Sequence, residues 1–177
     1  MVEPVRAVAE WLAGTTLDYA SQPQGIAAQL AAMTYDGTDT APSAPDVTAE
    51  TDDPIAGRGE LPDTAMAVTV AIDRLAMPAT ALSGVKIGKL RLLVRVVRTA
   101  SATHEVVRDS YYVARAIMRS LQQFHRNENQ FARQRNNIYI GPEPNMALDY
   151  FTPAADRDDN QVTTAWAVDY ALRELAP

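Results

Sequence analysis

Residues 89–124, KLRLLVRVVRTASATHEVVRDSYYVARAIMRSLQQF, decide the fold. In the first part Leu90, Leu92, Val94 and Val96 alternate with Arg91, Leu93, Arg95 and Val97, the period of two that puts successive side chains on opposite faces of a strand. In the second part Val106, Ser110, Val113, Ile117, Leu121 and Phe124 recur at intervals of three and four, the period of an amphipathic helix. Between them Ser101 or Thr103 supplies a side-chain oxygen to cap the helix, Glu105 falls in its first turn, and His125 and Arg126 fall in its last. A strand with one apolar face followed by a helix with one apolar face predicts a helix laid across a sheet.

Outward from this stretch, Ala65–Leu75 has the same alternation, with Val68, Val70 and Ile72 opposite Thr69, Ala71 and Asp73. It predicts a strand antiparallel to Lys86–Thr99 across a short connection. Pro4–Ala13 predicts a short helix with Val5, Val8, Ala9 and Leu12 on one face and Gly14 as its stop. Trp11 is expected in the core. Gly25–Met33 is apolar and alanine-rich, and its pattern fits either helix or strand. Asn137–Ile140 and Met146–Phe151 predict short strands, Asp156–Gln161 a turn, and Val162–Leu175 a last strand with Val162, Thr164, Trp166, Val168 and Tyr170 on one side. The expected fold is α+β: an antiparallel β-sheet, one long helix packed across it, a short N-terminal helix, and a long acidic loop insertion, all in a single domain over 1–177.

That insertion is 36–63. It holds eight acids (Asp36, Asp39, Asp46, Glu50, Asp52, Asp53, Glu60, Asp63) against one base, Arg58. Prolines and glycines interrupt it throughout, and its few apolar side chains do not offset the entropy of ordering it. Two readings follow: a solvated surface loop, or an arm that orders against another subunit. The helix carries the opposite charge. Glu105, Arg108, Tyr112, Arg115, Arg119, Gln122 and Arg126 form its predicted polar stripe. This stripe reads as a solvated face with local ion pairs, as a contact with an acidic neighbour, or as a contact with a nucleic-acid backbone.

Composition excludes more than it assigns. A chain of 177 residues with 47% hydrophobic and 21% charged residues suits one ordinary globular domain. The net charge of −6 argues against general nucleic-acid affinity. With no cysteine there is neither a disulfide nor a thiolate metal site. The first residues lack a basic-then-apolar leader pattern and no run reaches the ~18 apolar residues of a membrane span, so cytoplasmic synthesis is expected.

No catalytic constellation is legible. Gly84–Leu90 (GVKIGKL) is one residue short of a phosphate-binding loop and places Leu90 where a hydroxyl should hold magnesium. Asp156, Asp158 and Asn160 alternate as in a calcium loop, but Gln161 and Ala167 stand where glycine and a bidentate acid are required. His104 and His125 flank one helix, roughly 30 Å apart at the helical rise, and cannot share a ligand within one chain. No enzyme activity, cofactor or metal is expected.

The order of elements resembles the tail terminator (tail-completion or neck) proteins of long-tailed bacteriophages. The likeness lies in the VTVAID strand (Val68–Asp73), the LRLLVRVVR strand (Leu90–Arg98), the helix Val106–Phe124 and the closing VTTAWAVDYAL strand (Val162–Leu172). The acidic insertion departs from compact members of that family. The resemblance implies a structural virion protein without catalysis, found at the neck after assembly in the host cytoplasm. It implies a hexameric homo-oligomeric ring at the head-proximal end of the tail tube, which ends tube polymerisation. The implied partners are the tail tube protein and a head-completion or connector protein, with genome DNA passing through the lumen without sequence-specific binding. A head-completion or stopper subunit is the neighbouring alternative. A ring needs one surface of each subunit to meet a different surface of the next. Arg108, Arg115, Arg119 and Arg126 against Asp46, Glu50, Asp52 and Asp53 is the expected pairing.

Overall fold

The structure, a computed structural model, describes residues 3–14, 25–37, 39–49, 66–76, 85–99, 103–126, 138–140, 145–153 and 159–173. Within them the fold is mixed α+β. The elements in chain order are α1 (Glu3–Ala13), α2 (Gly25–Ala31), β1 (Asp46–Ala49), β2 (Met66–Ala76), β3 (Val85–Thr99), α3 (Thr103–Arg126), β4 (Ile138–Ile140), β5 (Asn145–Pro153) and β6 (Asp159–Arg173).

The six strands form one sheet in the order β1-β2-β3-β6, with β4 and β5 following one another along the far edge of β6. β3 is paired on both sides. It meets β6 in unbroken antiparallel register from Val85↔Arg173 to Thr99↔Asp159. On its other side it meets β2 from Met66↔Val96 to Ala76↔Ile87, with a register shift between Ile72 and Arg74. Because paired residues share a face, Val68, Val94 and Thr164 line up on one side, as do Val70, Leu92 and Trp166, with Leu90 and Val168 beside them. All of these are buried.

Residues of all three helices join that face in one buried cluster. From α1 come Val5, Val8, Trp11 and Leu12, from α2 Ile26 and Leu30, and from α3 Val106, Val113, Ile117, Leu121 and Phe124. Each such aliphatic or aromatic side chain contributes about 1.5–3 kcal/mol by leaving water. The buried indoles have polar partners. Trp11 Nε1 donates to the Ser120 carbonyl at 2.8 Å, and Trp166 Nε1 donates to Thr164 Oγ1 at 3.0 Å. Trp11 also meets Phe124 edge-on at 5.3 Å between ring centroids. These contacts fasten α1 to α3. The opposite face of the sheet carries short side chains, Ala67, Thr69 and Ala71, beside half-buried Arg91, Leu93 and Arg95.

The structure corrects three expectations. The sheet is not wholly antiparallel, because β1 pairs parallel with β2, Asp46↔Ala67 to Ala49↔Val70. β1 lies inside the stretch expected to be loop. Val47 and Ala49 turn to the core and Thr48 Oγ1 lies 3.2 Å from Thr69 Oγ1, so a period-two piece of four residues sits in an acid-rich background. Finally, Asp159–Gln161, read as turn, already belongs to β6, because the ladder with β3 continues to its end. The ambiguous Gly25–Met33 resolves as the helix α2 and its exit. The extended piece expected after Gly14 and residues 50–63 of the insertion lie outside the described residues.

Two glycines fit α2 against the end of α1. Gly14 ends α1 with φ of 74° and donates its N–H to the Trp11 carbonyl at 3.1 Å. Gly25 opens α2 with φ of 71°, and a Cβ there would lie 2.6 Å from Gly14 N and 2.9 Å from the Leu12 carbonyl oxygen. Both obstacles are backbone. Gly25→Ala should therefore lose at least the ~1–2 kcal/mol of a left-handed residue, plus the clash. A urea unfolding midpoint shifted down relative to the unsubstituted chain checks this.

Candidate functional site

α3 has two faces because it carries two apolar stripes. The first, Val113, Ala116, Ile117, Leu121 and Phe124, is buried on the sheet and against α1 and α2. Its rotation is fixed by the Trp11–Ser120 bond and by Gln29 Nε2 donating to Gln123 Oε1 at 2.7 Å. With that phase set, His104, Val107, Tyr111, Arg115, Met118 and Gln122 are left on the outside. They step by three, four, four, three and four, so they form one crest along the helix. Val107 is 49% exposed, Tyr111 63% and Met118 40%; among the described residues these are the large hydrophobics that are mainly exposed and not half-buried. Single exposed apolar residues are ordinary, but three aligned on one helix, with Arg115 between them, make a continuous surface.

A polar cluster flanks the crest on one side. Arg108 Nη1 donates to Asp39 Oδ1 at 2.6 Å, and Arg108 Nη2 lies 3.4 Å from Oδ1 of the fully buried Asp109. Tyr112 donates its hydroxyl to Asp39 Oδ2 at 3.3 Å and stacks edge-on with Tyr35 at 4.7 Å between centroids. The Tyr35 hydroxyl donates to the Leu30 carbonyl at 2.6 Å. This cluster ties the start of the acidic stretch to α3. Burial alone would lower the Arg108 pKa, but the charges of Asp39 and Asp109 and the hydrogen bonds to both raise it above the ordinary guanidinium value. Arg108 thus stays charged at every accessible pH and adds no pH dependence. Tyr35 is shifted up by burial first, then by Tyr112 and Asp109.

The expected interface residues fare differently. Arg108 is half-buried and pairs within its own chain with Asp39. Tyr112, placed on the polar stripe by its spacing, is buried at 5% exposure, because the Tyr35–Asp39 segment covers it. Ser110, placed on the apolar stripe, is half-buried, and Asp109 is the residue that faces inward. Arg115 is exposed and Arg119 half-buried. Arg126 is the last residue of α3, and its side chain lies outside the described part. Asp46 is exposed at the first position of β1. Glu50, Asp52 and Asp53 lie outside the described residues. Val107, Tyr111 and Met118 were missed, although Val107, Tyr111, Ala114 and Met118 already repeat at helical spacing in the sequence.

Among the described residues no group of three or more His, Asp or Glu is placed to hold a metal ion, and no helix is long and apolar enough to cross a membrane. The fold and this surface define a class, a helix-on-sheet α+β domain with an outward apolar–basic crest. No protein-family model, curated protein or solved structure matches the chain.

Two measurements test the cluster. Asp39→Asn and Arg108→Met should each lower the unfolding midpoint, with a double-mutant coupling no larger than the ~1 kcal/mol of partly exposed pairs. Because the Tyr35 pKa is raised above its unfolded value of 10.0, its contribution is complete below pH 10 and is lost as pH climbs through the folded value. Tyr35→Phe should then flatten the alkaline limb of a stability–pH curve while costing about 1 kcal/mol at neutral pH for the lost hydrogen bond.

Proposed function

We propose that the chain is a structural virion protein that forms a hexameric ring at the head-proximal end of a bacteriophage tail tube. In this reading it ends tube polymerisation and joins the tail to head-completion proteins, works at the neck of the virion after assembly in the host cytoplasm, and turns over no substrate. The observation that carries the self-assembly part is the α3 crest, which leaves Val107, Tyr111 and Met118 in water although the same helix has a complete inner face. The phage part rests on the order of strand, strand, helix and closing strand. Arg108, Arg115, Arg119 and Arg126 are the basic residues of α3 assigned to the contact, and the acid-rich stretch of the next subunit, with Asp46, Glu50, Asp52 and Asp53, is their counterpart. Within its own chain Arg108 also pairs with Asp39. The long acidic arm of the fold belongs to this proposal, as the part of each subunit that reaches its neighbour.

A tube-growth assay tests the role. Added to polymerising tail tube protein, the chain should stop elongation and sit once per tube, at one end. Unchanged tube lengths with binding to head-completion proteins would move it to the stopper position, and binding to neither would remove the virion reading. Arg115→Glu with Arg119→Glu should lower the assembled fraction seen by light scattering, more at low salt than at high, because exposed charges are screened. Assembly unaltered at both salt concentrations would remove the charge pairing.

A further inference from the structure

We infer that the α3 crest is a docking surface for a second copy of this chain, met by that copy's 50–63 stretch through apolar anchors as well as charge. The inference rests on the self-assembly reading and adds the contact that fixes it. On the receiving side, Arg115 lies between Tyr111 and Met118 at helical spacing, Val107 extends the apolar line, and Arg119 flanks it. This is a surface for an extended partner with large aliphatic side chains set among carboxylates. The 50–63 stretch has that composition: Ile55 and Leu61 stand among Glu50, Asp52, Asp53, Glu60 and Asp63, with Arg58 the one base. The surface and the stretch are complementary in both charge and hydrophobicity, and exposed aromatic anchors carry most of the energy in such contacts. The other basic face, Arg91 and Arg95 on the sheet, offers among the described side chains half-buried Leu93 as an anchor.

The test uses the full chain, with copies labelled by heavy nitrogen mixed with unlabelled copies and a photo-reactive benzoylphenylalanine at Tyr111. Mixed-isotope crosslinks to residues 50–63 are expected. Crosslinks confined to one chain, crosslinks to another part of the second copy, or none at all would overturn the inference. Tyr111→Ser and Met118→Ser should each weaken self-association about tenfold or more, with the helical and strand content of the folded chain retained because both side chains are exposed. Tight self-association retained in both variants would equally overturn it. The tube-growth assay separates the two readings. Intermolecular crosslinks without tube capping would leave this contact standing and remove the tail role, whereas capping by Tyr111→Ser would do the reverse.

Discussion

The structure depends on β3 being paired along both edges. Because β2 and β6 hold it in register, Leu90, Leu92, Val94 and Val96 all face one way, and a slip of one residue would turn Arg91, Leu93 and Arg95 into the core instead. The apolar ridge so produced is what α3 lies on. Phe124 and Leu121 are held there together with Trp11 and Trp166, so helix and sheet each bury a face that neither could bury alone.

From that constraint the outer surface follows. The rotation of α3 is set by its inner face and by bonds from Trp11 and Gln29, leaving no freedom to hide Val107, Tyr111 or Met118. The helix turns its inner stripe to the sheet and keeps the outer one in water. Arg108 and Asp39 then close one flank. The ion pair joins the helix to the segment leading into β1, and Tyr112 and Tyr35 pack beneath it. An arginine that the spacing alone assigned to a free stripe is thereby used for internal structure.

Much of this architecture was legible where one period dominates. Alternation over residues 90–96 marked both faces of β3, and the spacing of Val113, Ile117, Leu121 and Phe124 marked the face of α3 that is buried. Legibility failed where the decision is tertiary. β1 is a four-residue strand whose polar neighbours read as loop, and only pairing with β2 makes it a strand. Alanine-rich Gly25–Ala31 has no strong period, and its helix is selected by packing on α1 and α3. Tyr112 is inside because Tyr35 and Asp39 pack against it, which no spacing within α3 can reveal. The crest was present in the sequence as a second apolar stripe, but Arg115 within it and Arg108 and Arg119 beside it drew the reading toward a polar face.

The central claim is that the outward face of α3 exists to meet another copy of the chain, and the mass of the purified full-length protein in solution tests it most directly. The account predicts one closed species of six 19.3 kDa chains, persisting on dilution through the micromolar range. A single chain at every concentration, with Tyr111 and Met118 still in water, would contradict it.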